Sequence, residues 1–389
     1  MSIASPRLPL DGIVIADFSR VLAGPLAAST LADLGARVIK VERPDVGDDT
    51  RSWGPPWTSE GAAYFQSANR NKESLTLDLT DEVDRAVARR LAARADVFIE
   101  NFRTGALDRF GLGYEQVRAD NPGIVYCSIT GFGSGPGAEL PGYDFLVQAL
   151  GGLMSITGAS DDRGGEPTKV GVALVDVLAA KDATTGILAA LLQRGASATG
   201  QRVEVNLLSS LLAGLVNQAS SFLTTGKAPS RMGNAHPSIA PYELLTCRDG
   251  ALAIACGNDG QFRKLAVVLG EERLADDPRF ATNAARVQNR SAMTYALERL
   301  LAAKTADEWA SHLSAAGVPA GKVGTIADGF ALAEMLGLRP LVEVGGGLPA
   351  QVRNPVAFSD TPITNYAPPP RLGQHSDDVR RWLSEEETP

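Results

Sequence analysis

The stretch KVGVALVDVLAAKDATTGILAALL, residues 169–192, determines how the rest of the chain is interpreted. An apolar run over residues 170–175 leads to Asp176, and apolar residues then recur at helical spacing. Asp176 is therefore expected where a strand or loop meets a helix. It could be a helix N-cap, because Asp accepts free amides of a first turn. It could also be a nucleophile, because a partly desolvated carboxylate can attack an activated carbonyl. The cap is the commoner role, and these residues alone leave both open.

Composition limits the classes of protein to consider. With 389 residues, 44% of them hydrophobic, the chain is long enough for two domains. No apolar stretch approaches the roughly 18 residues of a membrane span, and residues 1–11 lack a signal-peptide pattern, so we expect a cytoplasmic protein without a membrane partner. Three widely spaced cysteines predict neither disulfides nor a metal site. The net charge of -8 argues against nucleic acid as a partner.

The first forty residues predict the start of a parallel sheet. Residues 12–16 form a short apolar strand pattern, residues 26–34 have helical composition, and residues 38–41 form the next strand. Pro25 suits a first helical position, and Gly35 suits the left-handed position that ends a helix. This order predicts a right-handed βαβ unit. The loop after the first strand lacks the G-x-G-x-x-G pattern, which argues against a dinucleotide enzyme.

Further along the chain, patterns of the same kind predict two α/β units. Residues 1–224 are expected to form a Rossmann-like large domain, 225–241 a linker, 242–325 a smaller α/β domain, and 326–389 a linker that returns to the large domain. Within them we expect helices at 81–95, 144–154, 208–222 and 377–383, the last capped by Ser376, and strands at 97–100, 124–129 and 202–207. The segment 43–72 has the composition of a surface loop. The glycine run at 131–137 contains Pro136 and no following lysine, so a flexible cover loop is expected there instead of a P-loop.

A series of short motifs runs in order along nearly the whole chain. They are DFS (17–19), AGP (23–25), LADLGA (31–36), VIKVERP (38–44), NKES (71–74), ENFR (100–103), GILAAL (186–191), GNAHP (233–237) and LGQH (372–375). Together they resemble the class III CoA-transferases, the CaiB/BaiF group that includes formyl-CoA transferases and α-methylacyl-CoA racemases. The resemblance implies a large α/β domain built from both chain ends, a smaller domain between them, and an interlocked homodimer.

The resemblance also implies a role for Asp176. In that family the acyl-carrying aspartate stands ten residues before the Gly of a GILAAL helix, and Asp176 has this spacing to Gly186 whereas Asp182 does not. Its carboxylate would attack an acyl-CoA to give a mixed anhydride, and returning CoA thiolate would give an aspartyl-CoA thioester. An acceptor carboxylate would then repeat the sequence in reverse. Coenzyme A, as the acyl-CoA substrate, is the only cofactor implied, with no metal.

The resemblance implies the remaining site residues through the motifs that match the family. For each of them, the alternative to a functional role is that of an ordinary loop residue. The residues matching CoA contacts are Val21, Leu22, Ala23, Arg43, Asn71, Lys72, Asn101, Phe102, Arg103 and Arg109. The residues matching substrate contacts or a closing loop are Tyr143, Asp144, Gly257, Gly260 and Gln261. Arg20 and Leu22 stand where formyl-CoA transferases have His and Gln, which argues against oxalate and formate as substrates.

Two other functions compete with transfer of CoA to a carboxylic acid, which in such relatives is often a dicarboxylate. A 2-methylacyl-CoA racemase needs two acid/base groups at the α-carbon. That branch has Gly-His-Asp where this chain has Gly142-Tyr143-Asp144. A phenol of pKa near 10 is a poor base at neutral pH, so Tyr143 favours the transferase. An acyl-CoA-binding protein without chemistry would have no need for Asp176.

Overall fold

The computed structural model describes residues 7–385. The strands, in chain order, are β1 (Val14–Asp17), β2 (Arg37–Glu42), β3 (Trp57–Thr58), β4 (Gly61–Ala62), β5 (Lys72–Thr76), β6 (Val97–Glu100), β7 (Val125–Thr130), β8 (Arg202–Asn206), β9 (Tyr242–Thr246), β10 (Ala251–Ala255), β11 (Ala320–Lys322), β12 (Leu341–Val342) and β13 (Gln351–Val352). The α-helices are α1 (Ala23–Asp33), α2 (Ala63–Gln66), α3 (Glu82–Arg94), α4 (Tyr114–Asp120), α5 (Asp144–Leu150), α6 (Leu153–Ile156), α7 (Leu174–Ser197), α8 (Leu207–Gly214), α9 (Val216–Thr225), α10 (Asp259–Val268), α11 (Asn283–Gln288), α12 (Arg290–Leu301), α13 (Ala306–Ala315), α14 (Ile326–Met335) and α15 (Ser376–Ser384).

The described chain divides into two compact units. Unit 1 comprises residues 7–153, 170–227 and 339–385, and unit 2 comprises residues 154–169 and 228–338. The prediction had placed residues 154–169 in the large domain. They belong to unit 2 because Arg231 forms an ion pair with Asp161 and donates to the Gly165 carbonyl over 3.1 Å. Residues 326–338, predicted as linker, also belong to unit 2.

A six-stranded sheet in the order β5-β2-β1-β6-β7-β8 forms the centre of unit 1. Every neighbouring pair in it is parallel. The predicted βαβ unit is therefore confirmed as β1-α1-β2. Apolar strand residues alternate between two clusters, one packed against α1 and α7 and the other against α3 and α15. Helices on both faces explain why β1, β6 and β7 are buried along nearly their whole length and are largely apolar.

Several local predictions needed correction. Helix α1 begins at Ala23, so Pro25 is its third residue; the first-turn amides lack intrahelical partners, and Pro costs nothing there. Gly35 has the predicted left-handed conformation, with φ +105°. Ser376 is the first residue of α15, after the N-cap His375, and its hydroxyl accepts from the Thr76 amide over 3.1 Å. The predicted helix at 208–222 is broken at Leu215 into α8 and α9.

The two helices formed by this break differ in direction. Helices α8 and α9 bend by 81° relative to each other. Within residues 7–385, no single helix is long and apolar enough to cross a bilayer, and only this bent pair reaches the required length and composition.

Unit 2 is built on a three-stranded antiparallel sheet in the order β11-β10-β9. Its core contains Phe262, Phe280 and Trp309. Arg286 is fully buried in it, where it donates to the Ala240 and Phe280 carbonyls and to the Asp259 carboxylate. These hydrogen bonds compensate for the burial of a guanidinium group.

Candidate active site

Asp176 is the third residue of α7 and is not its N-cap. The N-cap is Ala173, which makes no side-chain capping bond. Asp144 supplies the missing acceptor, because its Oδ1 accepts from the amides of Val175 at 2.7 Å and Asp176 at 3.3 Å. The cap proposed for Asp176 is therefore provided by a residue 32 positions earlier in the chain. The Asp176 carboxylate remains available for another role.

The surroundings of Asp176 raise its pKa to about 7. Burial is the larger cause, and the negative charge of Asp144 is the second. Gln148 fixes Asp144 in place: its amide nitrogen donates to Asp144 Oδ2 over 2.7 Å, and its Oε1 accepts from the Val170 amide over 2.9 Å. A carboxylate with a raised pKa is more basic and therefore a stronger nucleophile once ionised.

Asp176 lines a cavity of about 330 Å³ at the carboxyl ends of the parallel strands. The loops after β1 and β6 contribute much of its wall. From β1 the chain crosses to β2 on one side of the sheet, and β6 lies on the other side, so these loops flank the point where strand order reverses. Ligands of open α/β sheets bind in such a crevice. The fold thus places Asp176 in the expected ligand site.

Most of the predicted site residues meet here. Those lining the cavity together with Asp176 are Val21, Leu22, Ala23, Asn101, Phe102, Arg103 and Tyr143. Asp144 does not line this cavity; it caps α7 through the Val175 and Asp176 amides. A neighbouring cavity of about 440 Å³ is lined by Arg43 and Arg109 and shares Arg20 and Phe102 with the first. The Asp49 carboxylate bridges Arg20 at 3.2 Å and Arg43 at 2.7 Å.

Tyr143 is placed by a close contact between two glycines. A Cβ on Gly131 would come within 2.4 Å of the Gly142 Cα atom, so neither position has room for a side chain. The two ends of the segment between these glycines therefore lie in contact. Tyr143 follows Gly142 directly and is the N-cap residue of α5. Its side chain is 64% exposed and reaches the cavity.

Comparison with known proteins decides the family. A model described as CoA-transferase family III matches residues 10–376. The chain belongs to this family. This CoA-transferase is 43% identical to succinate–glutarate CoA-transferase of Agrobacterium fabrum, covering 98% of this chain and 96% of that one. It is 40% identical to acetyl-CoA:oxalate CoA-transferase of Acetobacter aceti, covering 92% and 90%.

A solved structure gives the same answer. A CaiB/BaiF family protein from Brucella suis superimposes with a TM-score of 0.87 at 46% identity, covering 97% of this chain and 100% of the other. The predicted family and enzyme class are confirmed. CoA thioesters are the substrates of enzymes of this family.

Two predicted CoA contacts of the transferase lie elsewhere. Lys72 is fully buried, and its ammonium group donates to Asp17 Oδ2, the Pro25 carbonyl and Asn69 Oδ1, each over 2.9 Å. All three of its protons are therefore in use, and burial lowers its pKa to about 8. Asn71 has φ +60° and donates to Asp33 over 2.8 Å. Neither side chain lines either cavity.

In unit 2 of the transferase, residues 257–261 form a strand-to-helix turn. Asn258 caps α10 by accepting from the Gln261 amide over 2.9 Å, and Gln261 Oε1 accepts from the Gly257 amide over 2.7 Å. The buried Arg286 holds the Asp259 carboxylate beside Gly260. Residues 257–261 therefore form an ordinary strand-to-helix turn. That this turn also closes over the active site stays a prediction.

Tyr64, which the sequence does not single out, lies close enough to Asp176 to sense its charge but lines neither cavity. Burial raises the pKa of its phenol, and the charges of Asp176 and Asp144 add to that effect, so the ring lies within their field. Tyr64 packs edge-on against Trp53, with ring centroids 5.3 Å apart. Both residues fall in the segment that was interpreted as surface loop, where no periodicity marks them.

Proposed function

We propose that the protein transfers CoA from an acyl-CoA to a small dicarboxylate through covalent intermediates on Asp176. The supporting observation is the Asp176 carboxylate itself, partly buried, with a pKa raised to about 7, in the cavity at the strand-order reversal. Water is a competing nucleophile for an acyl intermediate, and a partly closed site limits its access.

Each step exchanges one acyl bond for another. An Asp176 oxygen attacks the thioester carbon, the C–S bond breaks, and CoA leaves as thiolate with a mixed anhydride formed. The thiolate attacks the aspartyl carbonyl, which releases the donor acid as carboxylate and leaves an aspartyl-CoA thioester. The acceptor carboxylate attacks the aspartyl carbonyl of that thioester, which expels CoA thiolate and forms a second mixed anhydride. The thiolate then attacks the acceptor carbonyl of this anhydride, which gives the new acyl-CoA and releases Asp176 as carboxylate. No net proton is consumed, so the carboxylate nucleophile needs no general acid or base beside it.

The first amides of α1 are suited to stabilise the oxyanion formed in these steps. Within residues 7–385, neither the Ala23 nor the Gly24 amide donates to a protein acceptor, and α1 has no side-chain cap. Ala23 lines the cavity with Asp176. Free amides at a helix N-terminus stabilise negative charge that develops in a transition state.

The arginines near the site are suited to bind two anionic substrates, the acyl-CoA and the carboxylate acceptor. Arg20 and Arg103 line the cavity with Asp176, while Arg43 and Arg109 line its neighbour. Guanidinium groups bind phosphate and carboxylate oxygens in bidentate geometry. We assign the neighbouring cavity to the CoA phosphates and the Asp176 cavity to the thioester and acceptor.

A screen tests this function directly. Succinyl-CoA and acetyl-CoA are each incubated with a panel of mono- and dicarboxylic acids, and new CoA esters are detected by mass. We expect transfer to at least one dicarboxylate. Hydrolysis to free CoA with no new ester from any pair would contradict the proposal.

The racemase alternative makes an opposite prediction about the α-proton. We expect no deuterium exchange at the α-carbon of a 2-methylacyl-CoA in deuterated water, because Tyr143 is a weak base where that branch has His. Mass and proton resonance of the recovered thioester measure the exchange. Rapid deuterium uptake without CoA transfer would reverse the assignment.

Asp144→Asn should shift the pH dependence of the transferase. The nucleophile must be ionised, so kcat/KM for acyl-CoA should rise as pH passes through the Asp176 pKa, about 7. Removing the like charge favours the ionised form, so the midpoint should move to lower pH, in part only because burial remains. The Asn oxygen can still cap α7.

Asp182→Asn, on the same helix as Asp176 and bonded to Ser210, is the matched control for Asp144→Asn. An unmoved midpoint in Asp144→Asn would show that the two carboxylates are not coupled.

We also propose that the protein is a homodimer with interlocked chains. Two features support this: unit 1 is built from both ends of the chain, and helices α9 and α14 bury none of their residues. Ile326 and Met335 on α14 are 83% and 76% exposed. Threaded chains separate only with partial unfolding, so sedimentation should show a dimer down to nanomolar concentration. A folded monomer at any concentration would refute it.

A further inference from the structure

The turn between β1 and α1 contains a strained residue. Val21 has φ +71°, in the left-handed region that β-branched side chains avoid. Such conformations persist only where the surrounding structure imposes them, and they are concentrated at functional sites. Val21 lines the Asp176 cavity and is followed directly by Leu22, the N-cap residue of α1.

The side chain of Asn101, in the loop after β6, holds the backbone of Arg20, the residue that precedes Val21. The Arg20 amide donates to Asn101 Oδ1 over 2.8 Å, and Asn101 Nδ2 donates to the Arg20 carbonyl over 2.7 Å. The side chain thus binds the Arg20 backbone as a neighbouring strand would. Both ends of its amide are engaged with the turn.

A buried ion pair holds the rest of the turn. The Asp48 carboxylate accepts from the Val21 amide over 3.2 Å, and Lys40 donates to the Ser19 carbonyl over 2.9 Å. Lys40 and Asp48 are fully buried and lie 2.9 Å apart. Three consecutive residues are therefore fixed by side chains from three other segments of unit 1.

We propose that Asn101 is a positioning residue, which keeps the strained turn in place so that the first amides of α1 face the reacting carbonyl. This inference rests on the proposed function of Asp176. It differs from the role that the family resemblance implies for Asn101, a contact with CoA. A lost CoA contact would raise KM, whereas a displaced turn would slow the chemical step.

Asn101→Ala is the test. We expect kcat for CoA transfer to fall about 10- to 100-fold, which is less than the roughly 10²- to 10³-fold cost of removing an oxyanion donor, because the amides are displaced and not removed. KM for acyl-CoA should change less than about twofold. Val21→Gly should restore part of the loss, because Gly adopts positive φ without strain. The rescue is measured as a double-mutant cycle, in which the effect of Asn101→Ala on kcat is compared in the wild-type and Val21→Gly backgrounds. We expect kcat to recover about fivefold in the double variant. Asn121→Ala is the matched control, because Asn121 also bridges backbone carbonyls, those of Ala92 and Ala95, away from both cavities.

Three outcomes would overturn the proposal: a raised KM with unchanged kcat, no rescue in the double variant, or an equal fall in kcat for Asn121→Ala. Where Asn101→Ala does not fold, Asn101→Asp replaces it, since its carboxylate still accepts from the Arg20 amide but cannot donate to the carbonyl. Trapping of the acyl group on Asp176 in the wild-type protein distinguishes a failure of the proposed function from a failure of the positioning role of Asn101. Its absence refutes the proposed function, whereas trapping in the wild type with an undiminished rate in Asn101→Ala refutes positioning alone.

Discussion

Asp176→Asn is expected to abolish CoA transfer, lowering kcat by at least about 10³-fold, because the amide cannot form the anhydride or the thioester. CoA should still bind with nearly unchanged affinity, since the arginines assigned to its phosphates are untouched. Initial rates with succinyl-CoA, and CoA binding by calorimetry, measure the two effects. Asp182→Asn, six residues along the same helix, should retain wild-type turnover.

Chemical trapping identifies the residue that carries the acyl group. Wild-type protein incubated with acyl-CoA and then hydroxylamine should gain a hydroxamate on Asp176, located by peptide mass, and Asp176→Asn should gain none. A variant that keeps more than about a tenth of wild-type turnover would remove Asp176 from the mechanism.

A stability measurement separates lost chemistry from lost folding in the same variant. The folded-state pKa of Asp176 is raised from 3.8 to about 7, so ionisation destabilises the native state. This cost is absent below about pH 4, grows between pH 4 and 7, and is complete above pH 7. A shift of about three units corresponds to at most ~4 kcal/mol. Asp176→Asn should therefore be more stable than wild type at pH 8, with the difference shrinking toward pH 4.

Part of the parallel sheet could be predicted because several of its strands are largely apolar. β1, β2, β6 and β7 appear as short apolar runs, each followed by a loop, and the carboxyl ends of such strands meet at one edge. That edge is where the structure brings Asp176 together with Leu22 and Phe102. The family resemblance then selected Asp176 over Asp182 through its spacing to Gly186.

Contacts between distant residues could not be predicted from patterning. Strand β5 has the sequence KESLT, whose polar residues resemble a surface loop, yet Lys72 and Ser74 are buried there. Their burial is possible only because Lys72 meets Asp17, 55 positions away, and Ser74 donates to Glu42, 32 positions away. The helix cap by Asp144 is of the same kind. Local periodicity carries no information about such pairs.

Lys72→Met is expected to destabilise the fold and to affect CoA binding little. Removing the ammonium group leaves the fully buried Asp17 carboxylate without its closest cation, and breaking one side of a buried pair costs about 3–5 kcal/mol. Thermal and denaturant unfolding measure the loss. The double variant Asp17→Asn/Lys72→Met should recover part of it, because the uncompensated charge is then gone.

The comparison with Arg43 decides between the structural and the ligand-binding role of Lys72. Arg43 is 53% exposed and lines the cavity assigned to the CoA phosphates, so Arg43→Met should raise KM for acyl-CoA with little change in stability. Lys72→Met should show the opposite pattern, because its three protons are bound to Asp17, Pro25 and Asn69. A stable Lys72→Met protein with a raised KM would return Lys72 to the phosphate site, and would mean that its ammonium group leaves Asp17 when CoA binds.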